Sequence, residues 1–345
     1  MGLGGQAEVY ARVTQVDGVA AALDWAARRS LPVSVLGGGS NVVVADAGVK
    51  GLVLTLRVLG QSVVVDGPHV DVYVGAGESW DLFVAQCVDR NWAGVECLSG
   101  IPGQVGATPI QNVGAYGQDV SGTLSSVDVY DRVSRRRREL AHGECEFGYR
   151  TSRFKGRDAG RFIVLGAKFR LHEGGPACLR YPEIAKRLAA VPGQAPSLQS
   201  LRSAVLATRR EKSMLLDAGD ENARSCGSFF LNPELTNPEL EELASRCSTP
   251  PPRFLQADGR VKVPAAWLIE QAGFARGQRF GVGTVGISSR HTLALVCHDG
   301  ATAAHLVEAA HCVRDKVAEA FAIWLTPEPS FLGFGGAFDG LPPLS

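Results

Sequence analysis

The stretch LSGIPGQVGATPIQNVGAYGQDV, residues 98–120, decides how this chain is read. It holds five glycines, two prolines and the amides Gln104, Gln111 and Asn112, with Asp119 as its only charged residue. It has neither the 3.6-residue period of a helix nor the alternation of a strand, and a segment this long without either pattern is rarely a mere connector. Small side chains leave backbone N–H groups open to an anion, and amides reach the polar edge of a ring. The near absence of charge argues against a metal-nucleotide site. A pyrophosphate joined to a heteroaromatic ring suits this chemistry.

Upstream, VLGGGSNVVVAD at residues 35–46 sets three consecutive glycines behind an apolar strand. The motif is not GxGxxG and no helical pattern follows it, which disfavours a Rossmann nucleotide site. Taken alone it is equally a tight turn. GAGESW, residues 75–80, adds a third turn of close approach. On a β-rich framework the three loops point to a dinucleotide held in extended form; three unrelated turns are the plain alternative.

Working outward, the first 58 residues read as a small α/β unit. A strand is predicted over 8–13, an amphipathic helix over 19–29, and strands ending at Leu36, Val44 and Leu56. Residues 61–172 alternate as half-buried strands in SVVVDG, VDVYVGAG, SSVDVYD and RFIVLGAKFRL, with one helix over 79–90. The four arginines at 135–138 read as a solvated hairpin tip rather than a phosphate site. After Tyr181 the pattern changes to helices over 183–190, 197–210 and 233–246, suggesting a separate α+β domain. Leu306, Ala310, Val313, Val317 and Phe321 mark a long helix with a core-facing stripe.

Composition bounds the function classes. The chain has 345 residues, enough for two to three domains. Lys+Arg and Asp+Glu both number 35, so no global field recruits nucleic acid or an acidic membrane face. No apolar run approaches the ~18 residues of a membrane span. The opening residues lack a basic region followed by an apolar stretch, so a cytoplasmic protein is expected. The eight cysteines are scattered without a CxxC pair and read as reduced thiols, and no metal site is expected.

The blocks LGGGSNVVVADAG, GIPGQVGATPIQNVGAYGQ, FGYRTSRFK, GSFFLNP, AAWLIEQAGF and WLTPEP, in this order over nearly the whole chain, resemble the UDP-N-acetylmuramate dehydrogenase (MurB) family. The resemblance implies an α+β protein. A two-part FAD-binding domain of the vanillyl-alcohol-oxidase/PCMH type would occupy residues 1–58, completed by 329–345, and 59–200. A C-terminal α+β substrate-binding domain would occupy 201–328. It further implies reduction of the enolpyruvyl ether of a UDP-sugar, for peptidoglycan, with non-covalent FAD and NADPH. Monomer state is expected.

Residue by residue, the resemblance places the flavin against Gly37, Gly38, Gly39, Ser40 and Asn41, and against Gly103, Gln111, Asn112, Gly114, Ala115, Tyr116 and Gly117. Arg150 in FGYRTSRFK matches the family's catalytic arginine, whose guanidinium can grip a carboxylate with two prongs. Ser228 matches its proton donor and Glu328 its third catalytic residue. Tyr181 matches the tyrosine that marks the family's first subtype and lies near the substrate diphosphate. Lys212, Asn232, Lys262 and Gln271 look similar to further substrate contacts, with charge from Arg209 or Arg210. A flavin-dependent oxidase of a small alcohol or sugar, suggested by the glycine loops alone, and a non-catalytic UDP-sugar-binding relative are the other two readings.

Overall fold

A computed structural model of the chain describes residues 1–189, 195–256, 258–335 and 340–342. The chain folds into two compact units. One comprises residues 7–40 and 50–215, the other residues 1–6, 41–49 and 216–345.

In the first unit, Ala7–Val13 and Val33–Leu36 flank the central strand Val49–Leu56. The pair Val33–Leu36 and Val49–Leu56 runs parallel, as the intervening crossover requires. The helix Asp17–Ala27 buries Val19 and Ala26, with Val19 in the core of Leu54 and Leu56; it begins and ends two residues earlier than the span read from periodicity.

The same unit holds a larger antiparallel sheet, ordered Arg136–Ala141, Leu124–Asp131, Phe162–Glu173, His69–Gly75 and Gln61–Asp66. Four of the strands are those predicted from alternation, whereas Arg136–Ala141 begins within the run read as a hairpin tip; the register Val72 opposite Phe169 puts both on the buried face. The helix Trp80–Asp89 lies on that face, with Phe83 5.1 Å from Phe169 and Trp80 5.8 Å from it between ring centroids. Truncating one such buried ring costs about 3–5 kcal/mol. The helix Leu198–Glu211 belongs to this unit as well. Arg202 donates to both carboxylate oxygens of Asp81, at 2.7 and 3.0 Å, and Gln199 donates to the Val88 carbonyl. Residue 200, where the resemblance ends the flavin-binding domain, therefore lies inside a helix held to that domain's own helix. The boundary between the units falls after Leu215 instead.

In the second unit, Ser330–Leu332 pairs in parallel with Val42–Val44. Two three-stranded antiparallel sheets and the helices Asn237–Ser245, Ala265–Gln271 and Ala303–Phe321 complete it. The apolar stripe of the last helix is buried as its spacing predicts. Its N-terminus is secured from the glycine motif: the Asp46 carboxylate accepts the N–H groups of Ala303 and Ala304 at 2.7 and 2.9 Å. A carboxylate there satisfies orphan donors and complements the helix dipole. The final stretch of the chain contributes the strand Ser330–Leu332, while 336–339 and 343–345 lie outside the described residues, as does Ala190 at the end of the expected helix over 183–190.

The arginine run is only partly a solvated tip. Arg135 sits at the turn with φ +57°, but Arg137 donates to both carboxylate oxygens of Asp128, and Arg138 lies 3.6 Å from Asp131. The Asp131 side chain is fully buried and also takes two bonds from Arg161 and the N–H of Val133. The Arg161 bonds, aided by the Val133 N–H and outweighing burial, hold its carboxyl well below the ordinary carboxylate value. A depressed folded value means the stability is present above the unfolded value of about 4 and is lost as pH falls through the folded one. Asp131→Asn should therefore destabilise the protein by about 1.5–3 kcal/mol at pH 7, with the gap narrowing below pH ~4, as read by urea unfolding of both proteins across that range.

Candidate functional site

The glycine triplet forms a turn whose shape depends on missing Cβ atoms. A Cβ on Gly38 would stand 3.0 Å from the Gly103 Cα, so the two glycine segments touch backbone to backbone. Ser40 locks the contact by donating from its hydroxyl to the Pro102 carbonyl at 3.1 Å. Gly39 adopts φ +71°, and a Cβ there would meet nothing within 4 Å. This open turn, with Gly37 and Gly38 exposed and no charged side chain of its own, fits the pyrophosphate of a dinucleotide.

The 98–120 segment is ordered by its own bonds. Short antiparallel strands Gly114–Ala115 and Gln118–Asp119 form a two-residue hairpin, with Tyr116 at φ +50° and Gly117 at φ +85° on its tip. Both central residues are left-handed, as this turn type requires. Asn112 is buried, and its amide is used inside the loop: Nδ2 donates to the Gly148 carbonyl at 3.0 Å and Oδ1 accepts the Ser121 N–H at 3.1 Å. Gln104, although quoted with the loop's amides, bonds to the Leu56 and Gly77 carbonyls and joins strands instead. Gln111 is half-buried in the same loop.

Arg150 adopts φ +52°, a left-handed conformation costly for a non-glycine residue, and one that persists only where surroundings enforce it. Its guanidinium reaches back to the glycine block, donating to the Asn112 carbonyl at 3.5 Å and to that of Gly114. The catalytic arginine of the sequence reading is thus physically tied to the proposed flavin loop.

In the other unit, the segments that carry Ser228 and Glu328 are paired through their backbones. Phe229 and Phe230 are fully buried and anchor their segment, and Phe230 forms an antiparallel bridge with Pro327. Glu328 N–H donates to the Phe229 carbonyl at 2.8 Å, and Leu231 N–H to that of Thr326 at 2.8 Å. Both Ser228 and Glu328 are half-buried beside this bridge. Asn41, the last residue of the glycine motif, donates to the Glu328 carbonyl at 3.5 Å. Burial pushes the thiol of Cys226 up to about 12, and the Glu328 charge adds to the shift, so this neighbouring thiol stays protonated.

The five expected substrate residues are not one cluster. Tyr181 is 40% exposed and meets Tyr116 edge to face, 5.3 Å between ring centroids. Lys212 follows the helix Leu198–Glu211 and bridges to Glu183 at 2.6 Å. Tyr181 and Lys212 belong to the first unit, whereas Asn232, Lys262 and Gln271 belong to the second. The Asn232 side-chain Oδ1 accepts the Ala265 N–H at 2.9 Å at the start of the helix Ala265–Gln271. Lys262 bonds Glu234 at 3.1 Å and Gln256 at 3.0 Å, and Gln271 stands exposed at its helix end. The residue that spacing underrated is Arg209, named in the sequence only as a source of charge. It is 8% exposed, its Nε has no hydrogen-bond partner, and its Nη2 donates to the Met214 carbonyl at 2.8 Å. Burial pushes its guanidinium below the usual value and raises the nearby Tyr116 phenol to about 12. Only the apolar spacing of its helix hinted that Arg209 turns inward.

Comparison with known proteins agrees with this layout. Residues 219–332 match the family described as UDP-N-acetylenolpyruvoylglucosamine reductase, C-terminal domain, and residues 7–133 match the FAD binding domain family. The UDP-N-acetylenolpyruvoylglucosamine reductase of Thermobifida fusca is 48% identical over 96% of this chain and 95% of its own. This chain belongs to the UDP-N-acetylenolpyruvoylglucosamine reductase family. The reductase of Salinispora arenicola is 44% identical over 95% of this chain and 91% of its own. The crystal structure of the Thermus caldophilus UDP-N-acetylenolpyruvylglucosamine reductase shares the fold, with a TM-score of 0.63 at 23% identity over 94% of this chain and 91% of that one. Within the reductase family this chain is an FAD-dependent oxidoreductase, α+β in class, with an FAD-binding domain and the family's C-terminal domain.

Because the Gly38 contact is backbone to backbone, Gly38→Ala must push the two segments apart. It should weaken FAD binding about tenfold or more, equivalent to about 1.4 kcal/mol, whereas Gly143→Ala, whose Cβ enters open space, should leave it unchanged. Flavin fluorescence titration of the two apoproteins checks this.

Proposed function

We propose that this chain reduces UDP-N-acetylenolpyruvoylglucosamine to UDP-N-acetylmuramate with NADPH, supplying a peptidoglycan precursor. The observation that carries the reading is a likeness to reductases that spans 96% of the chain, and the bridge pairing the segments of Ser228 and Glu328 supports it. The oxidase reading has no counterpart in those relatives and is not favoured.

Gly37, Gly38, Gly39, Ser40 and the 103–117 segment would hold FAD, and the chemistry it supplies when bound is hydride transfer from NADPH to the terminal carbon of the enolpyruvyl group. An enol ether is a poor hydride acceptor, so negative charge developing toward the adjacent carboxylate must be stabilised. In this reading Arg150 grips that carboxylate, since its planar fork matches two oxygens at once. Its strained backbone fits a side chain aimed by its surroundings rather than by its own preference. The Ser228 hydroxyl delivers the proton to the carbon next to the carboxylate. A serine is a weak acid, so position does the work, and the buried Phe229 and Phe230 hold its segment still. Glu328 polarises the protonation step from the adjoining strand.

Tyr181 and Lys212 are assigned to the diphosphate, a role consistent with the first, tyrosine-bearing subtype. Asn232, Lys262 and Gln271 are assigned to the remainder of the UDP-sugar. Functionally, the flavin role is assigned to the unit of residues 7–40 and 50–215 and the substrate role to residues 216–328 of the other unit. We assign the enzyme to the cytoplasm as a monomer with non-covalent FAD; among the described residues no helix is long and apolar enough to cross a membrane, and none of the residues group as a metal site.

An anaerobic titration tests the reaction: the flavin spectrum should bleach with NADPH and recover on adding the enolpyruvyl sugar. Recovery with oxygen alone, and indifference to the sugar, would overturn it. Ser228→Ala should keep flavin reduction by NADPH near the parent rate while slowing reoxidation by the sugar about 10²–10⁴-fold, read by stopped-flow absorbance. Arg150→Lys should slow the same half-reaction, since an ammonium cannot reproduce the two-pronged grip.

A further inference from the structure

Two of the scattered cysteines meet in the fold although 81 positions part them. Cys97 lies in the short 3-10 turn Glu96–Leu98 at the head of the glycine-rich block, and Cys178 lies in the segment leading to Tyr181. The Cys97 Sγ is 3.2 Å from the Cys178 carbonyl oxygen. Their backbones are pinned side by side through two polar side chains. The buried Glu96 carboxylate accepts the Cys178 N–H at 2.8 Å and the Gln118 amide at 2.9 Å, while the Gln118 oxygen accepts the Cys97 N–H at 2.7 Å. This frame, together with the Cys97 thiol donating to the Cys178 carbonyl, keeps the two cysteines side by side.

We propose that Cys97 and Cys178 are a redox-modification site, a dithiol that hydrogen peroxide converts to a reversible disulfide.

The two cysteines have unequal parts. Cys97 is buried, and Cys178 is partly open to solvent. The hydrogen bond from the Cys97 thiol lowers the Cys178 thiol from its ordinary value, and Arg180 adds to the effect, while the same bond and burial raise Cys97. Every other cysteine is shifted upward, with burial as the first cause. The thiolate of Cys178 attacks one peroxide oxygen: an S–O bond forms, the O–O bond breaks, and the departing hydroxide takes up a proton to leave as water. The Cys97 sulfur then attacks the resulting sulfenic acid, forming the S–S bond and expelling the second water. Two thiols lose two electrons in all, and one peroxide is reduced to two waters. The bridge closes a ring that contains the whole glycine-rich block and tethers the approach to Tyr181.

The folded full-length holoenzyme, treated with hydrogen peroxide and then digested without reductant, should yield a Cys97–Cys178 linked peptide that dithiothreitol releases. Cys178 should react about tenfold or more faster than the exposed Cys312. In Cys97→Ser, Cys178 should instead accumulate as a sulfenic acid trapped by dimedone. The proposal is overturned if wild-type Cys178 is oxidised without a linked peptide, if it links to Cys312 as readily, or if it reacts no faster than Cys312. The wild-type digest decides the matter even where the variant fails to fold.

Discussion

Two stretches of backbone can touch only where neither carries a Cβ in the way, and the contact of Gly38 with Gly103 is the constraint on which the flavin-binding unit turns. It brings the end of a parallel strand against the start of the glycine-rich segment. The rest of that segment is then placed by its own bonds: the buried Asn112 holds the loop to Gly148, and the Tyr116–Gly117 tip projects toward Tyr181. Arg150 is positioned by the same peptide groups, through the Asn112 and Gly114 carbonyls. One steric condition therefore governs both the glycine turn proposed to cradle a pyrophosphate and the segment that positions Arg150.

Charge serves this architecture locally rather than globally. A net charge of zero conceals carboxylates spent on holding positions: Asp46 on a helix N-terminus, Asp81 on Arg202, Asp131 on Arg161, and Glu96 on two backbone segments at once. Each turns a loosely specified loop or helix end into a fixed one. Binding of an anionic substrate then falls to the few cations that point where the fold needs them, which is a matter of placement and not of overall field.

Much of this was legible in the residues. The alternation in SSVDVYD and RFIVLGAKFRL fixed two neighbouring strands, because a half-buried sheet demands period two. The stripe from Leu306 to Phe321 marked its helix for the corresponding reason. What periodicity missed is equally instructive. The helix Ala265–Gln271 is short and packed by tertiary contacts, so its apolar residues show no long period. The division after Leu215 depends on Arg202 meeting Asp81, a pairing across 121 positions that no local pattern carries. The meeting of Cys97 with Cys178 and the burial of Arg209 are likewise products of the fold. The catalytic roles proposed for Ser228 and Glu328 rest on resemblance, since a serine and a glutamate far apart in sequence carry no pattern of their own.

The parallel pairing of Val42–Val44 with Ser330–Leu332 also sets an order of events during synthesis. The valine strand leaves the ribosome long before its partner, which is made only after residue 329. Throughout elongation the three valines present an open strand edge of high β-propensity, the kind of segment that associates with other chains. Nascent protein thus passes through a long window in which half of the glycine motif is synthesised but cannot yet be sheltered, and chaperone demand should track translation speed rather than the stability of the finished enzyme.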